Sequence, residues 1–219
     1  MLRYLLISCL ALILSACNCN KSSSSNSCYY DDGSKKPVVT IVPMLDSSSC
    51  DVPWSLSEEF SSTIKNELAQ DGALFLSADN NLQSTRENPF NHNLAWVKKS
   101  FKPAEFVVFM ELVEHENVPL IKTVKDPDLI PEFRKNASNL NLAVRIRIID
   151  IRKDEPVIVL QEILKNSYYS NNMIDYADYS IVTWGAENYK NTPMEIAHRE
   201  MISNLKNRIS DYIKLAKTR

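Results

Sequence analysis

Glycine is scarce in this sequence: the 219 residues include only three, Gly33, Gly72 and Gly185. Phosphate-cradling loops need several closely spaced glycines, because the backbone must turn tightly and approach the phosphate oxygens. Neither a Walker loop nor a dinucleotide fingerprint can be built from three isolated glycines. We therefore expect no nucleotide and no other dissociable cofactor.

Histidine and excess charge are also scarce. The three histidines, His92, His115 and His198, are scattered and share no ligand spacing with the cysteines, so no metal site is predicted. The 25 basic and 27 acidic residues nearly cancel, and nothing in this balance favours binding to nucleic acid.

Hydrolase chemistry lacks its usual signals. No Gly-x-Ser-x-Gly elbow is present, and a serine nucleophile would need a positioned base. His198 falls on the apolar side of a predicted helix and is interpreted as a satisfied core histidine. His115 lies between Glu114 and Glu116, which point to the opposite face of a strand, and it is interpreted as part of a solvated strand end. We predict that the protein is not an enzyme; a hydrolase using His115 or His198 is the competing interpretation.

The first residues have the composition of a removable targeting segment. Arg3 is positively charged, Leu5 to Leu14 are mostly apolar, and Ser15 and Ala16 are the small residues that a signal peptidase needs. The apolar run is about ten residues long, against roughly 20 for a helix that crosses a bilayer. Residues 1–16 are therefore expected to be a signal peptide.

The tetrapeptide ending at Cys17, Leu-Ser-Ala-Cys, resembles the bacterial lipobox. The resemblance implies that Cys17 becomes the first mature residue and carries a thioether-linked diacylglycerol, with an acyl chain such as palmitate on its amine. Several acyl chains anchor a protein durably, since each buried methylene contributes about 0.8 kcal/mol. Asn18, in place of an aspartate, favours the outer membrane, with the protein facing the periplasm. The alternative is an ordinary secreted protein with a chance cysteine at this position.

Residues 17–36 are polar and rich in serine, which is typical of a flexible tether. Cys19, Cys28 and Cys50 would lie in a disulfide-permissive compartment. The pair we expect is Cys28 with Cys50, which would join the tether to the first loop, while Cys19 stays free or bridges chains.

Residues 37–219 are predicted to form one α/β domain. A short β-rich run before Pro43 precedes a helix in which Ser55 and Glu58 form a capping box, and Gly72 ends that helix. A second short strand follows at residues 73–77, a short helix is predicted at residues 92–100, and an apolar strand covers residues 105–113.

The remaining elements are a hairpin and a helix. Residues 140–152 alternate strictly between apolar and polar, which indicates a half-buried strand, and a polar turn leads through Pro156 into another strand. Pro193 to Leu215 show helical spacing. We predict a single mixed sheet of about five strands, with a capped helix after strand 1 and the long carboxyl-terminal helix packed on the sheet.

This arrangement resembles the small α/β domain of the TolB amino-terminal domain, LpoB-type activators of cell-wall synthases and CsgG-type lipoproteins. The segments that carry the resemblance are "VVTIVPM", "AVRIRIIDIRKDEPVIVLQE" and "EIAHREMISNLKNRISDYI". The tail also resembles uncharacterised envelope lipoproteins of chlamydial bacteria. The partners that the resemblance implies are a cell-wall synthase, an outer-membrane complex or a secretion machine.

Aromatic residues supply the candidate binding surface. Residues 166–190 have few charges, and tyrosine and tryptophan are enriched at protein interfaces. The residues predicted to contact a partner are Trp54, Tyr168, Tyr169, Tyr176, Tyr179 and Trp184. The alternative is that these aromatics cover the sheet as part of the core.

The functional prediction is a membrane-anchored periplasmic lipoprotein that acts as a non-catalytic binding or assembly module of the cell envelope. Its expected partners are the membrane, through the lipid anchor, and either an envelope protein or copies of itself. Two alternatives stay open: an envelope hydrolase of unknown substrate and a structural homo-oligomer.

Overall fold

A computed structural model describes residues 27–77, 87–120, 137–171 and 178–219. The strands are β1 (Val38–Ile41), β2 (Leu45–Asp46), β3 (Phe75–Leu76), β4 (Phe106–Pro119), β5 (Ala137–Asp150) and β6 (Val157–Asn171). The helices are α1 (Leu56–Asp71), α2 (Ala95–Ser100) and α3 (Pro193–Lys217).

The strands form one mixed sheet in the order β3-β1-β4-β5-β6, with β2 paired to β4. β1 is parallel to β3 and to β4, whereas β4, β5 and β6 form an antiparallel meander. The predicted fold class is confirmed, with six strands in place of about five. The additional strand is β2, which continues the course of β1 along β4 beyond Pro43, a residue that has no N–H for the ladder.

Each of the two long helices begins at a side-chain cap, and the sequence predicts the first of these, at Ser55. The Ser55 hydroxyl accepts a hydrogen bond from the Glu58 N–H at 3.2 Å, and Gly72 ends α1 with a φ of 65°. The Thr192 hydroxyl accepts from the Glu195 N–H at 3.2 Å at the start of α3. Both helices pack on one face of the sheet and enclose the main core with it.

The opposite face of the sheet has a smaller apolar cluster. Val107, Phe109 and Ile149 project from this face, and residues 87–104, which include α2, cover them. The residues of β4 from Phe106 to Leu112 are therefore buried on both faces, as predicted.

Arg147 fastens that covering segment to the sheet. Its side chain is 3% exposed, and its guanidinium donates to three consecutive backbone carbonyls, those of Pro89, Phe90 and Asn91, at 2.7–2.9 Å. Its Nε also donates to the Gln161 side chain at 2.7 Å. The planar arrangement of guanidinium donors suits this set of acceptors.

Arg147→Lys should loosen the segment, because an ammonium group cannot reach the same carbonyls and buried acceptors would lose their donors. We expect a loss of about 2–3 kcal/mol of stability and faster amide exchange in residues 87–104. Hydrogen exchange followed by mass spectrometry would measure this. Arg208→Lys, at a half-exposed position of α3, is the control; equal protection in both variants would contradict the assigned role.

Three strands extend further than the sequence indicates. β4 runs to Pro119, beyond the predicted end at residue 113, and β5 begins at Ala137, before the predicted start at residue 140. β6 runs to Asn171, so Tyr168 and Tyr169 lie in this strand. The continuous antiparallel register between β4 and β5 supports residues whose own composition is weakly β-forming.

The described part of the predicted tether is folded. Residues 28–36 form a tight turn in which Tyr29 and Lys35 make a β-bridge and the Lys36 N–H donates to the Cys28 carbonyl at 2.9 Å. The Tyr30 hydroxyl donates to the Ala73 carbonyl at 2.6 Å. Cys17, Tyr176 and the signal segment lie outside the described residues.

The expected Cys28 to Cys50 disulfide is absent from the structure, where both thiols are free. The Cys28 carbonyl accepts a hydrogen bond from Lys36, whose side chain reaches Gly72 at the carboxyl-terminal end of α1. Cys50 instead precedes the amino-terminal end of that helix. A helix of 16 residues is about 24 Å long, and a disulfide requires Cα atoms within roughly 7 Å. Burial, together with Asp46 and Asp51, raises the pKa of Cys50 to about 11, which keeps its thiol protonated.

Candidate functional site

A buried carboxylate lies at the centre of a polar network between α1 and α3. Glu59 is 2% exposed. One of its oxygens accepts from Trp54 Nε1 at 2.7 Å. The other accepts from the Tyr189 hydroxyl at 2.5 Å and from His198 Nδ1 at 2.9 Å. Trp54 Nε1 can only donate, and the Tyr189 hydroxyl and His198 Nδ1 can each donate, so the site suits an ionised carboxylate.

The network continues through two histidine rings. His198 Nε2 lies 2.8 Å from His115 Nε2, and the rings are 1% and 5% exposed. One nitrogen must donate and the other accept, so two protonated rings would set one N–H against another. Burial and the neighbouring His198 lower the pKa of His115 to about 4, and His115 is therefore neutral near pH 7.

The other groups of the network also have shifted pKa values. Burial opposes ionisation of Glu59, but the hydrogen bond and charge of His198, with the bonds from Tyr189 and Trp54, bring the net pKa below its usual value. Burial, and then the Glu59 charge, raise the pKa of Tyr189. The network at neutral pH thus holds a carboxylate beside a neutral phenol.

The sequence interpretation of His115 as a solvated strand end is wrong. β4 continues past this residue, and the face that bears His115 is covered by α3. The interpretation of His198 as a satisfied core histidine is confirmed, because both of its ring nitrogens have partners. The sequence prediction includes no role for Glu59 and counts Tyr189 among the aromatics of residues 166–190, although Glu59 follows Leu56 by three residues on the buried side of α1.

The geometry of the network favours a structural role. A general base must come within hydrogen-bond reach of a substrate, whereas these side chains are nearly inaccessible and bond to one another. Among the residues that the structure describes, no group of three or more histidines, cysteines or carboxylates could hold a metal ion.

The predicted aromatic contact residues are mostly packed against the main core. Trp54, Tyr168, Tyr179 and Trp184 are partly buried there, and Tyr179 accepts a hydrogen bond from the Met194 N–H at 3.2 Å. Tyr169 differs from these four, since it is 57% exposed. For those four residues, the arrangement therefore favours the alternative in which the aromatics cover the sheet.

A more accessible surface is the outer edge of β6, called here the β6 edge. β6 is the last strand in the described sheet, so its outer backbone groups have no strand partner among the described residues. Ile163 and Tyr169 project from one face of this strand and are 52% and 57% exposed. A long strand edge with exposed apolar side chains is a ready template for pairing with another chain.

A polar groove runs beside the β6 edge. It has a volume of about 470 Å³ and lies between β6 and α3. Glu162 and Lys165 line it from the strand, and Asn204, Arg208 and Asp211 line it from the helix. Its lining offers hydrogen-bond donors and acceptors together with charges of both signs.

The chain thus has an α/β domain with a closed polar network and an open sheet edge. Residues 25–217 match a family of unknown function, DUF7499, and the chain belongs to that family. No curated protein has a sequence that matches significantly. In the described residues, no helix combines the length and apolarity needed to span a bilayer.

One solved structure supports the fold in detail. The hypothetical protein CT253 from Chlamydia trachomatis is 25% identical, with a TM-score of 0.61 over 81% of this chain and 98% of its own. This similarity agrees with the chlamydial part of the resemblance seen in the sequence.

Two further similarities are more distant. Lipoprotein GNA1162 from Neisseria meningitidis is 11% identical, with a TM-score of 0.37 over 80% of this chain and 99% of its own. The LpoB C-terminal domain from Salmonella enterica is 11% identical, with a TM-score of 0.35 over 60% of this chain and 82% of its own. Scores this low carry no functional argument.

Proposed function

We propose that the protein is a lipid-anchored, non-catalytic module of the cell envelope that binds another envelope protein through the β6 edge. The observation that carries the proposal is the outer edge of β6, which pairs with no further strand among the described residues and has the exposed Ile163 and Tyr169 beside it. An extended segment of a partner would add a strand there. Main-chain hydrogen bonds would supply affinity, and alternate side chains would supply specificity.

The anchor in this proposal is Cys17. Its lipid, which the lipobox resemblance implies, would hold the domain at a membrane, and Asn18 favours the outer membrane with the domain on the periplasmic side. Confinement near the membrane raises the effective concentration for a partner in the same compartment, so a weak edge contact would be sufficient.

A second candidate function is self-assembly through the same edge. An antiparallel pair of β6 strands centred on Ile163 would place Ile163 opposite its copy and Gln161 opposite Lys165. This register brings no like charges face to face, which favours it over registers centred on Lys165. A homo-oligomer would then be the functional form.

The experiment is affinity capture from detergent-solubilised envelopes, followed by mass spectrometry of the bait and of the proteins captured with it. We expect a diacylglyceryl mass on Cys17 and an envelope partner whose recovery falls about tenfold with Ile163→Lys, which adds a charge on the β6 edge. Ile181→Lys, at another strongly exposed position, should leave recovery unchanged. The proteins must first be shown to melt at similar temperatures.

The outcomes separate the two candidates. A bait that captures only itself, with a dimer mass that Ile163→Lys abolishes, would support self-assembly. An unlipidated Cys17 would remove the anchor from the proposal. Equal recovery of the partner with Ile163→Lys and Ile181→Lys would show that the β6 edge is not the binding surface. Activity screening of Glu59 and histidine variants would then be the next step.

A further inference from the structure

The amino-terminal chain reaches the domain at a defined end, called here the tether end. Glu105 lies at its centre: its carboxylate is 4.0 Å from Lys35 Nζ and 2.6 Å from Lys217 Nζ. The Glu105 carbonyl also accepts from the Ile151 N–H at 2.9 Å. One residue therefore connects the incoming chain, the end of β5 and the last turn of α3.

The same end carries an apolar groove. It has a volume of about 310 Å³ and lies between the start of β6 and the last turns of α3. Val157, Ile158 and Leu215 line it and are 50%, 40% and 51% exposed. The groove thus gathers three half-exposed aliphatic residues from the strand and the helix at one end of the domain.

Basic residues surround the groove. Lys153 and Arg219 line it and are exposed, and neither is ion-paired within the part of the chain that the structure describes. Arg152, in contrast, has partners within the domain: it forms an ion pair with Asp150 at 2.7 Å and donates a hydrogen bond to the Ala216 carbonyl at 2.8 Å. Arg152 thus holds the hairpin turn against α3, so the groove is formed before anything binds.

We propose that the tether end is a membrane-contact surface, with the three aliphatic side chains in the lipid interface and Lys153 and Arg219 on anionic lipid phosphates. The proposal rests on the anchoring at Cys17 proposed above. About ten residues separate Cys17 from Ser27, and a chain of that length spans at most about 36 Å. A Cys17 anchor would therefore keep Ser27, where the described chain begins, within about 36 Å of the bilayer, and the chain continues from there to Lys35 at the tether end.

The chemistry of the groove selects a lipid surface over a protein partner. Aliphatic side chains with flanking cations match the order of acyl chain and phosphate across a bilayer interface. The β6 edge offers unpaired backbone groups to a protein, whereas the tether end offers side chains around a helix terminus. The two surfaces let one domain hold a bilayer and a protein at the same time.

The first test uses a chain from Asn18 to Arg219, which lacks the anchor but contains every described helix and strand and both apolar clusters. It is mixed with vesicles of phosphatidylcholine, with or without phosphatidylglycerol, and separated by flotation. We expect binding to the anionic vesicles, about tenfold weaker with Leu215→Gln and lowered by Lys153→Gln. Ile196→Gln, an exposed isoleucine at the other end of α3, is the matched control and should bind as the unsubstituted chain does.

The second test uses the lipidated full chain in the same vesicles and measures amide exchange. Residues 152–158 and 212–219 should be protected relative to detergent micelles. No flotation together with no protection would overturn the proposal, as would equal losses from Leu215→Gln and Ile196→Gln. A vesicle-independent change in molecular mass with Leu215→Gln would assign the groove to a second copy of the chain.

The results of these tests do not depend on the outcome of the capture experiment that tests the proposed function. Flotation involves neither the Cys17 lipid nor the captured partner. If the protein captures a partner but does not bind vesicles, the proposed binding function is retained and the membrane-contact surface is rejected. If it binds vesicles but captures no partner, the membrane-contact surface is retained and the proposed binding function is rejected.

Discussion

Glu59→Gln is expected to lower the free energy of unfolding by about 3–5 kcal/mol, the range for breaking a buried charged pair. The substitution keeps the size of the side chain but replaces one acceptor oxygen with an NH₂ group. All of the partners, Trp54, Tyr189 and His198, are donors to this carboxylate. An NH₂ group facing Trp54 would oppose a group that can only donate, and one facing Tyr189 and His198 would require these partners to reverse their hydrogen bonds in a site that excludes water.

Urea unfolding followed by tryptophan fluorescence and circular dichroism would measure the loss. Glu58→Gln is the control, since Glu58 is the exposed neighbour on the same turn of α1 and should change stability by only a few tenths of a kcal/mol. A Glu59→Gln protein as stable as Glu58→Gln would show that the network contributes little. Glu59→Leu would then show whether an apolar core serves equally well.

Acidification from pH 7 to pH 4 is expected to cost about 3 kcal/mol through His115 alone. Its pKa is lowered in the folded protein from 6.5 to about 4. Between these two pH values, His115 binds a proton in the unfolded chain but not in the folded protein. The free energy of unfolding therefore falls as the pH drops from about 6.5 to about 4. Glu59 has a lowered pKa, so its contribution is present above its ordinary value of 4.5 and is lost at lower pH.

Unfolding free energies at a series of pH values would test this dependence. His115→Gln removes the titrating ring but retains a hydrogen-bonding group near the position of Nε2, so its profile should be flatter between pH 6.5 and pH 4. His92→Gln, at an exposed position, should keep the profile of the unsubstituted protein. A profile that is the same in all three proteins would contradict the lowered pKa.

Local signals in the sequence were sufficient to predict the helices. Ser55, Gly72 and Pro193 mark helix termini through backbone hydrogen bonds and φ preferences that act over a few residues. The hairpin of β5 and β6 was predictable for a similar reason, since strict alternation describes a sheet with one covered face.

The strand ends and the polar network were not predictable in the same way. β4 reaches Pro119 because β5 pairs with it across the whole length, and that pairing depends on residues far along the chain. His115 and His198 meet only after α3 packs on the sheet, so their separate local environments gave no sign of the contact. The aromatic residues were recognised, but composition alone does not distinguish an interface from a core cover.

The contact between Glu59 and His198 joins residues 139 positions apart. While the chain is being synthesised, α1 emerges long before α3 exists, and its carboxylate must stay in water until the last helix arrives. Docking of α3 therefore does two things at once, since it covers the apolar sheet and brings His198 to the buried carboxylate. A chain cut short before residue 193 would lack both, and we expect it to remain a substrate for quality-control proteases and not a partly folded domain.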